Sequence, residues 1–533
     1  MVDLGRSTPV RPSLRHHVRP EWVTRGVTLG AVMHCWVVIA LTPAWTVRSH
    51  LTIAVGSGLM ALLARYGITR MSEGHKRRVR VAALAEMLLL YTSLLRVHRV
   101  PERAISTLLE TAPPILHPVL TRAQQAPVRD GEPVHTALRR GISDMPWTQM
   151  VCAQVGVAVD RADPSGFERA VHQILSAETA RLQTAADRLQ LQLTVLFLLG
   201  VFGPLAAVGL LPAASAGGVA IAPPVVAVIY HLWVPIAIAV GVANIITGPL
   251  ADLHPIGGLA PPGVLTPKML LLGVLCGVVM ALVGSQLLPW AGGHLAVATV
   301  VGVVAHTATH QHIDMSRRRM AIDQALPAMM ATLGVRLSDG GSPERALAAA
   351  ADPSPLGRVL ARVDDELQEG ASLPAALDAG LTSADGGPRL RRWATHYRIA
   401  AGLGTAGGAL CSTLAEAWRA SDEVRGDAMH QIGGLARMCT HTGVVVGPII
   451  AGTTVAMLGA LTETALTGRP LSPTAVGPPV ATTVLSIAVL LPSLAVMLEH
   501  GPDLPLVLRQ AGHAAVLALV IFVLTVSLVS QLL

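Results

Sequence analysis

The sequence predicts an all-α polytopic membrane protein with about nine transmembrane helices and two soluble helical bundles. Three observations support this fold class. Hydrophobic residues make up 52% of the 533 residues and charged residues only 14%, a balance unlike that of soluble globular domains. The apolar residues gather in stretches that approach the roughly 20 residues needed to cross a bilayer. Two long polar segments between these stretches share a sequence pattern.

The predicted spans are the apolar stretches long enough for a bilayer core. They are Val27–Trp45, Leu51–Ile68, Leu191–Leu211, Pro224–Thr247, Met269–Leu288, Gly293–Thr309, Thr442–Leu461, Val476–Leu498 and Ala514–Leu533. The basic N-terminal tail has no cleavable signal pattern, and the first span is long enough to stay in the bilayer.

Arginines lie beside the apolar stretches, as expected for cytoplasmic segments. Clusters occur in the N-terminal tail, at Arg77, Arg78 and Arg80, and at Arg317, Arg318 and Arg319. This placement predicts a multi-pass protein of the cell membrane with a cytoplasmic N-terminus and both polar segments in the cytoplasm. It also accounts for the net charge of +7 without nucleic acid as a partner.

The predicted organisation has five parts. Residues 1–70 hold the tail and spans 1 and 2, and residues 71–190 form the first cytoplasmic helical domain. Residues 191–312 hold spans 3 to 6, residues 313–441 form the second cytoplasmic domain, and residues 442–533 hold spans 7 to 9.

The two polar segments carry copies of one pattern. Each has Pro-Glu-Arg-Ala, then a glycine, and then an Ala-Leu pair six and seven residues after that glycine. The glycine and the pair are Gly131, Ala137 and Leu138 in the first copy and Gly370, Ala376 and Leu377 in the second. We expect the glycine to end one helix, the alanine to let the next approach closely, and the leucine to fill the seam. A period near 240 residues is too long for a solenoid and indicates a duplicated domain.

Each copy is predicted to be an all-α bundle of about six helices, with breaks at glycines and prolines. In the second copy the predicted helices are Arg317–Leu337, Ser342–Ala351, Pro355–Glu369, Leu373–Ala379, Pro388–Ala401 and Thr405–Thr440.

Nucleotide-binding motifs are absent or lack their structural context. A G-x-G-x-x-G runs from Gly402 to Gly407, but a dinucleotide site needs a preceding strand, and the preceding stretch is helical. A flexible connection between helices is the favoured interpretation. The two lysines, Lys76 and Lys268, do not follow a glycine, so no P-loop exists. The sequence therefore predicts a protein that is not an enzyme, holds no cofactor, and takes any nucleotide energy from another protein.

Other motifs favour structural roles. His306, His310 and His312 have helical spacing that could suit a metal, but a cap at the cytoplasmic interface is the favoured interpretation, and no metal site is predicted. Ionisable residues in the spans are few and include His34, His231 and Arg65. G-x-x-x-G pairs begin at Gly26, Gly273 and Gly443; they favour helix packing and leave a homodimer open. The five cysteines form no C-x-x-C pair.

Two helical domains that carry the Gly-x₅-Ala-Leu motif and lead into spans resemble the type II secretion system F family. These are the membrane platform proteins of type II secretion, type IV pili, tight-adherence pili and the archaellum. The matching stretches are Arg78–Leu210 and Arg317–Leu461, about half of the chain. The extra spans between the copies and the tail 498–503 are closer to archaeal members. The family's usual Gly-Glu pair is absent, because Leu403 follows Gly402.

This resemblance implies a platform that binds a hexameric secretion ATPase, pilin-like subunits and the lipid bilayer. The candidate face for the ATPase is the acidic run Asp364, Asp365 and Glu366, although a solvated helix face without a partner would have the same composition. The alternative function is a transporter built from two repeats. Transporter repeats place their similarity in the spans and polar residues near the midplane, whereas here the similarity lies in the soluble segments.

Overall fold

The computed structural model describes residues 101–112, 116–143, 164–217, 223–246, 267–381, 387–464, 473–501 and 503–533, with scattered positions between 84 and 100. All regular elements within these ranges are helices, as the sequence predicts. The first copy contains α1 (Pro101–Thr111), α2 (His117–Arg129), α3 (Val134–Ser143) and α4 (Pro164–Val195). A π-helical turn, π1 (Leu196–Phe202), joins α4 to α5 (Gly203–Ala216).

Four helices and a second π turn lie between α5 and the second copy. They are α6 (Pro223–Val228), π2 (Ile229–Trp233), α7 (Val234–Ile245), α8 (Pro267–Leu287) and α9 (Gly292–Ser338). The predicted span Pro224–Thr247 is therefore a helix interrupted by a π turn. Pro235, which lacks the N–H that a regular helix needs, explains the interruption.

The second copy begins within α9, which extends into it from the apolar region without a break. It contains α10 (Pro343–Ala348), α11 (Pro355–Gln368), α12 (Leu373–Leu381), α13 (Pro388–Gly402) and α14 (Thr405–His441). A third turn, π3 (Thr442–Val446), leads into α15 (Gly447–Thr464), followed by α16 (Pro473–His500) and α17 (Leu504–Leu532). These bounds agree closely with the helices predicted from Pro355 onward.

The sequence prediction was wrong in separating the span Gly293–Thr309 from a helix that starts at Arg317. The structure has one helix of 47 residues, α9, across both. Residues 310–316 contain no glycine or proline, so a change from apolar to charged side chains alters the surroundings of the helix but does not end it.

Six helices among the described residues are long and apolar enough to cross a membrane. They cover Leu182–Leu211, Pro267–Leu287, Gly292–Ser338, Ile432–Ala460, Thr474–His500 and Leu504–Leu532. Each coincides with a predicted span. Two further predicted spans, Val27–Trp45 and Leu51–Ile68, lie outside the described residues. The ninth, Pro224–Thr247, is not among the six, because its apolar α-helix Val234–Ile245 is shorter than the others.

The buried apolar side chains form two clusters. One combines residues of both copies, from Leu84 to Ile142 and from Ile322 to Trp418. The other combines the apolar helices, and on α14 it begins at Ile432. Helix α14 therefore connects the two clusters through a polar middle section, and α9 runs beside it.

Glycines set the closest helix crossings. A Cβ at Gly277 of α8 would lie 3.1 Å from the carbonyl oxygen of Ala296, and one at Gly443 would lie 3.0 Å from Cδ of Pro492. Two of the predicted G-x-x-x-G pairs thus serve packing within the chain. The pair that begins at Gly26 lies outside the described residues.

Candidate functional site

The repeated glycine ends a helix in both copies. Gly131 follows α2 with φ 65°, and Gly370 follows α11 with φ 90°, a conformation that favours glycine. At Gly370 the turn is a Schellman motif: its N–H bonds to the Leu367 carbonyl, and the next N–H bonds to the Glu366 carbonyl, both at 3.0 Å. A Cβ would meet nothing within 4 Å at either glycine. Backbone conformation, and not lack of space, is therefore the constraint.

The Ala-Leu pair faces the core in both copies. Ala137 and Ala376 are 7% and 0% exposed, and Leu138 and Leu377 are 0% and 2% exposed. They lie on α3 and α12, which pack against α2 and α11 respectively. The two copies thus form the same helix–glycine–helix hairpin.

A second glycine closes each hairpin, a role that was not predicted. A Cβ at Gly141 would lie 2.6 Å from Cγ1 of Val119, and one at Gly380 would lie 2.5 Å from Cγ2 of Val363. Both valines belong to the first helix of their hairpin. Glycine therefore allows the helices to approach at a point where alanine would collide.

A buried tyrosine lies near the Pro-Glu-Arg-Ala glutamate in both copies. Burial, together with the charge of Glu102, raises the pKa of Tyr91. Burial, with smaller contributions from Cys411 and Glu344, raises the pKa of Tyr397. The Tyr397 hydroxyl donates to the Pro343 carbonyl at 2.8 Å. The tyrosines come from different places in the two copies, so sequence comparison could not pair them.

The predicted acidic face lies on α11. Asp365 is exposed, while Asp364 and Glu366 are half-buried. Gln368 Nε2 donates to Asp364 Oδ2 at 2.8 Å. Val363, next to this run, is buried, so α11 turns one side to the core and its acidic residues toward solvent.

Arg389 belongs to an internal cluster. Its Nη2 lies 2.8 Å from Asp422 Oδ2 on α14, and its guanidinium lies 5.3 Å from the ring centroid of Trp418. The arginine side chain is 21% exposed. Asp323 of α9 approaches the same arginine, and its Oδ1 is buried without a hydrogen-bond partner. The cluster therefore joins three helices, with arginine offsetting the cost of burying carboxylates.

This cluster was missed by sequence reasoning. Asp323, Arg389 and Asp422 are far apart in the chain, and no local spacing connects them. Nearby, burial raises the pKa of the Cys411 thiol to about 12, so this cysteine is a core residue at neutral pH and not a nucleophile.

A π turn followed by Gly-Pro lies within the first candidate span after each copy. π1 ends before Gly203 and Pro204, and π3 ends before Gly447 and Pro448. In each case the glycine N–H bonds to the carbonyl five residues earlier. Proline has no N–H and its ring displaces the carbonyl one turn back, so the helix widens. The repeat therefore extends into the apolar helices. In the sequence, this extension of the repeat is marked by two Gly-Pro pairs, at Gly203 and Gly447, that are 244 residues apart.

The equivalent helices of the two copies pack on each other. Helix α4 contacts α14, and α5 contacts α15. Hydroxyl groups connect the next helices: Tyr230 of π2 donates to the Pro204 carbonyl at 2.8 Å, and Thr483 of α16 donates to the Tyr230 carbonyl. Pro235 cannot donate to that carbonyl, so the threonine satisfies it.

The predicted histidines do not gather into one group. His306 Nδ1 lies 3.0 Å from Nε2 of His513 on α17, whereas His310 approaches Asp314 at 3.6 Å. No group of three or more potential metal ligands occurs within the described part of the chain. His34 and Arg65 lie outside the described residues, as does the side chain of His231.

The G-x-G-x-x-G segment is a connection between two helices. Gly404, with φ 61°, turns the chain from α13 into α14. A Cβ at Gly402 or Gly404 would meet nothing within 4 Å, whereas one at Gly407, in the first turn of α14, would collide with the Ala400 carbonyl oxygen of α13. The last glycine of the motif therefore allows α13 and α14 to pack closely.

Comparison with protein-family models, curated proteins and solved structures gives no match to this chain. The geometry of the two copies is thus the basis for assigning a function.

Proposed function

We propose that this chain is a non-enzymatic membrane platform protein of a type IV pilus-like assembly or a type II-like secretion machine. One observation carries the proposal. Both copies form the same glycine-ended hairpin, and each leads into an apolar helix through a π turn with Gly-Pro. A duplicated helical bundle attached to paired apolar helices suits a protein that connects a cytoplasmic ATPase with pilin-like subunits in the membrane.

In this proposal the chain crosses the cell membrane nine times, with its N-terminus and both copies in the cytoplasm. The arginines at Arg317, Arg318 and Arg319 are exposed on α9 and follow its apolar part, as expected for cytoplasmic anchors. The soluble bundles then face an ATPase, and the apolar helices face pilin-like subunits.

Continuous helices would transmit force between the two regions. Helix α9 has 47 residues and, at ~1.5 Å per residue, is about 70 Å long. Helix α14 runs beside it and connects the two apolar clusters. A displacement imposed on the second copy would therefore reach the membrane through two helices, and not through loops.

The ATPase is proposed to dock on the acidic face of α11 around Asp365. An exposed carboxylate run attracts a basic partner surface, and this attraction weakens with salt because exposed charges are screened within ~8 Å at physiological ionic strength. The internal pairing of Arg389 with Asp422 removes that arginine from the surface, which leaves the acidic face as the clearer candidate.

A charge-reversal experiment tests this docking. The change is Asp364→Arg, Asp365→Arg and Glu366→Arg in the full-length protein. The matched control reverses Glu416, Glu423 and Asp427, which are exposed on α14. Recruitment of a purified secretion-type ATPase from the same organism is measured in membranes at low and high salt. We expect loss of recruitment for the α11 variant alone.

Recruitment that is unchanged in the α11 variant rules out this face. ATP hydrolysis by the purified wild-type protein contradicts the non-enzymatic proposal as a whole.

The transporter alternative has one observation in its favour. His306 of α9 and His513 of α17 meet at 3.0 Å inside two apolar helices, and polar contacts between spans occur in substrate and proton pathways. Proton or solute flux through reconstituted protein, abolished by His513→Phe, would favour the transporter.

A further inference from the structure

A recess opens where α14 meets the end of α16. Its volume is about 280 Å³. The lining residues are Gly426, Met429, His430, Gly433, Arg437 and Glu499. The first five lie on α14, and Glu499 is the penultimate residue of α16.

Glycines keep the recess open without serving a helix crossing among the residues that the structure describes. A Cβ at Gly426, Gly433 or Gly434 would meet nothing within 4 Å. By contrast, Gly408 on the same helix is needed for a close approach to α9. Glycine inside a helix lowers its stability, and contacts with the described residues do not account for glycine at these three positions.

The recess lies at the ends of two candidate spans. Arg437 is in the first two turns of the apolar helix Ile432–Ala460, and Glu499 is at the last turn of Thr474–His500. Ser316 donates to Asp503 at 3.1 Å and so places the chain turn after α16 beside α9, just before Arg317. With these two helices as spans, the charged groups of the recess would lie at the depth of lipid headgroups.

The recess carries both charge signs. Arg437 and His430 are exposed on α14 and offer N–H donors, and Arg437 has no carboxylate partner among the described residues. The side chain of Glu499 is 41% exposed, and its Oε2 lies 3.9 Å from Nδ1 of His500. Met429 adds apolar surface, partly buried against the membrane cluster. Arginine pairs well with phosphate, and a carboxylate pairs with an ammonium group.

We propose that this recess binds a phospholipid with a zwitterionic headgroup, its phosphate on Arg437 and His430 and its primary ammonium on Glu499. The lipid would lie in the leaflet on the side of the soluble bundles. None of these residues belongs to the proposed ATPase face, so the lipid site and the platform function can fail independently.

The test is native mass spectrometry of delipidated full-length protein in detergent. The probes are phosphatidylethanolamine, phosphatidylglycerol and soluble phosphoethanolamine. We expect wild-type protein to retain phosphatidylethanolamine most tightly. Arg437→Gln should raise the apparent Kd for phosphatidylethanolamine about tenfold, as loss of one charge-assisted contact predicts. Gly433→Leu should block binding by filling the recess, and Glu499→Gln should erase the preference over phosphatidylglycerol.

The matched control is Arg419→Gln, an exposed arginine on the same helix, which should bind as wild type does. Retention unchanged by both Arg437→Gln and Gly433→Leu overturns the proposal. Equal or tighter retention of phosphatidylglycerol by wild-type protein also overturns it, because a general attraction to anionic lipid would then suffice. Phosphoethanolamine bound as tightly as the lipid would identify a solute site instead. Binding of the three probes to wild-type protein tests the proposal even where a variant fails to fold.

Discussion

At the scale of single residues, the glycines of this chain have distinct roles that the sequence alone does not separate. Gly370 has φ 90° and open space around it. Gly380 is helical and lies against Val363. Gly402 ends α13 with neither constraint. Each role predicts a different response to the same added methyl group.

Gly370→Ala should destabilise the second copy by ~1 kcal/mol or more, because a left-handed conformation is unfavourable for an L-residue. Gly402→Ala is the matched control and should be neutral or stabilising by up to ~1 kcal/mol, since alanine is the better helix former. Denaturant unfolding of the full-length protein measures both. Equal stability of the two variants would refute the assigned turn at Gly370.

At the scale of elements, the repeat pattern allowed the hairpin helices to be predicted, because Gly370 and the prolines at helix starts mark their ends locally. The continuity of α9 was not predicted, since a change in polarity resembles a boundary. The cluster of Asp323, Arg389 and Asp422 was also missed, because tertiary packing alone brings α9, α13 and α14 together.

The ion pair between α13 and α14 gives a prediction at this scale. Asp422→Ala removes the partner of a half-buried arginine and should cost ~1 kcal/mol, a value kept small because the aspartate is itself 37% exposed. Asp427→Ala, an exposed aspartate on the same helix, should change stability by less than ~0.5 kcal/mol. Thermal unfolding compares them. A cost for Asp427→Ala as large as that for Asp422→Ala would show that the pair does not hold the helices together.

At the scale of the whole molecule, the duplication and its continuation into apolar stretches at Leu191 and Thr442 could be predicted from the sequence, but the packing of the equivalent helices on each other could not. The matched Gly-Pro turns and the packing of α4 on α14 became visible once the helices were placed. Composition was sufficient for the membrane class, because six apolar helices follow directly from hydropathy. The orientation of the chain in the membrane is inferred from the placement of charged residues alone.

Labelling tests that orientation. Gln368→Cys on α11 and Gln286→Cys on α8 place single thiols at exposed positions in a background without the native cysteines. With both copies in the cytoplasm, a membrane-impermeant maleimide added to intact cells should label position 286 and spare position 368. Labelling of position 368 with protection of position 286 would show that the second copy lies outside the cytoplasm and would contradict the predicted topology.

The central claim is that this protein is a platform for filament assembly or secretion and not a transporter. Deletion of its gene, followed by proteomics of the cell-surface and secreted fractions, tests it most directly. We predict that pilin-like subunits or secreted proteins disappear from those fractions and accumulate in the membrane. Wild-type protein should restore export, and the Asp364, Asp365 and Glu366 reversal should not. Surface and secreted fractions identical to those of the parent strain would contradict the account.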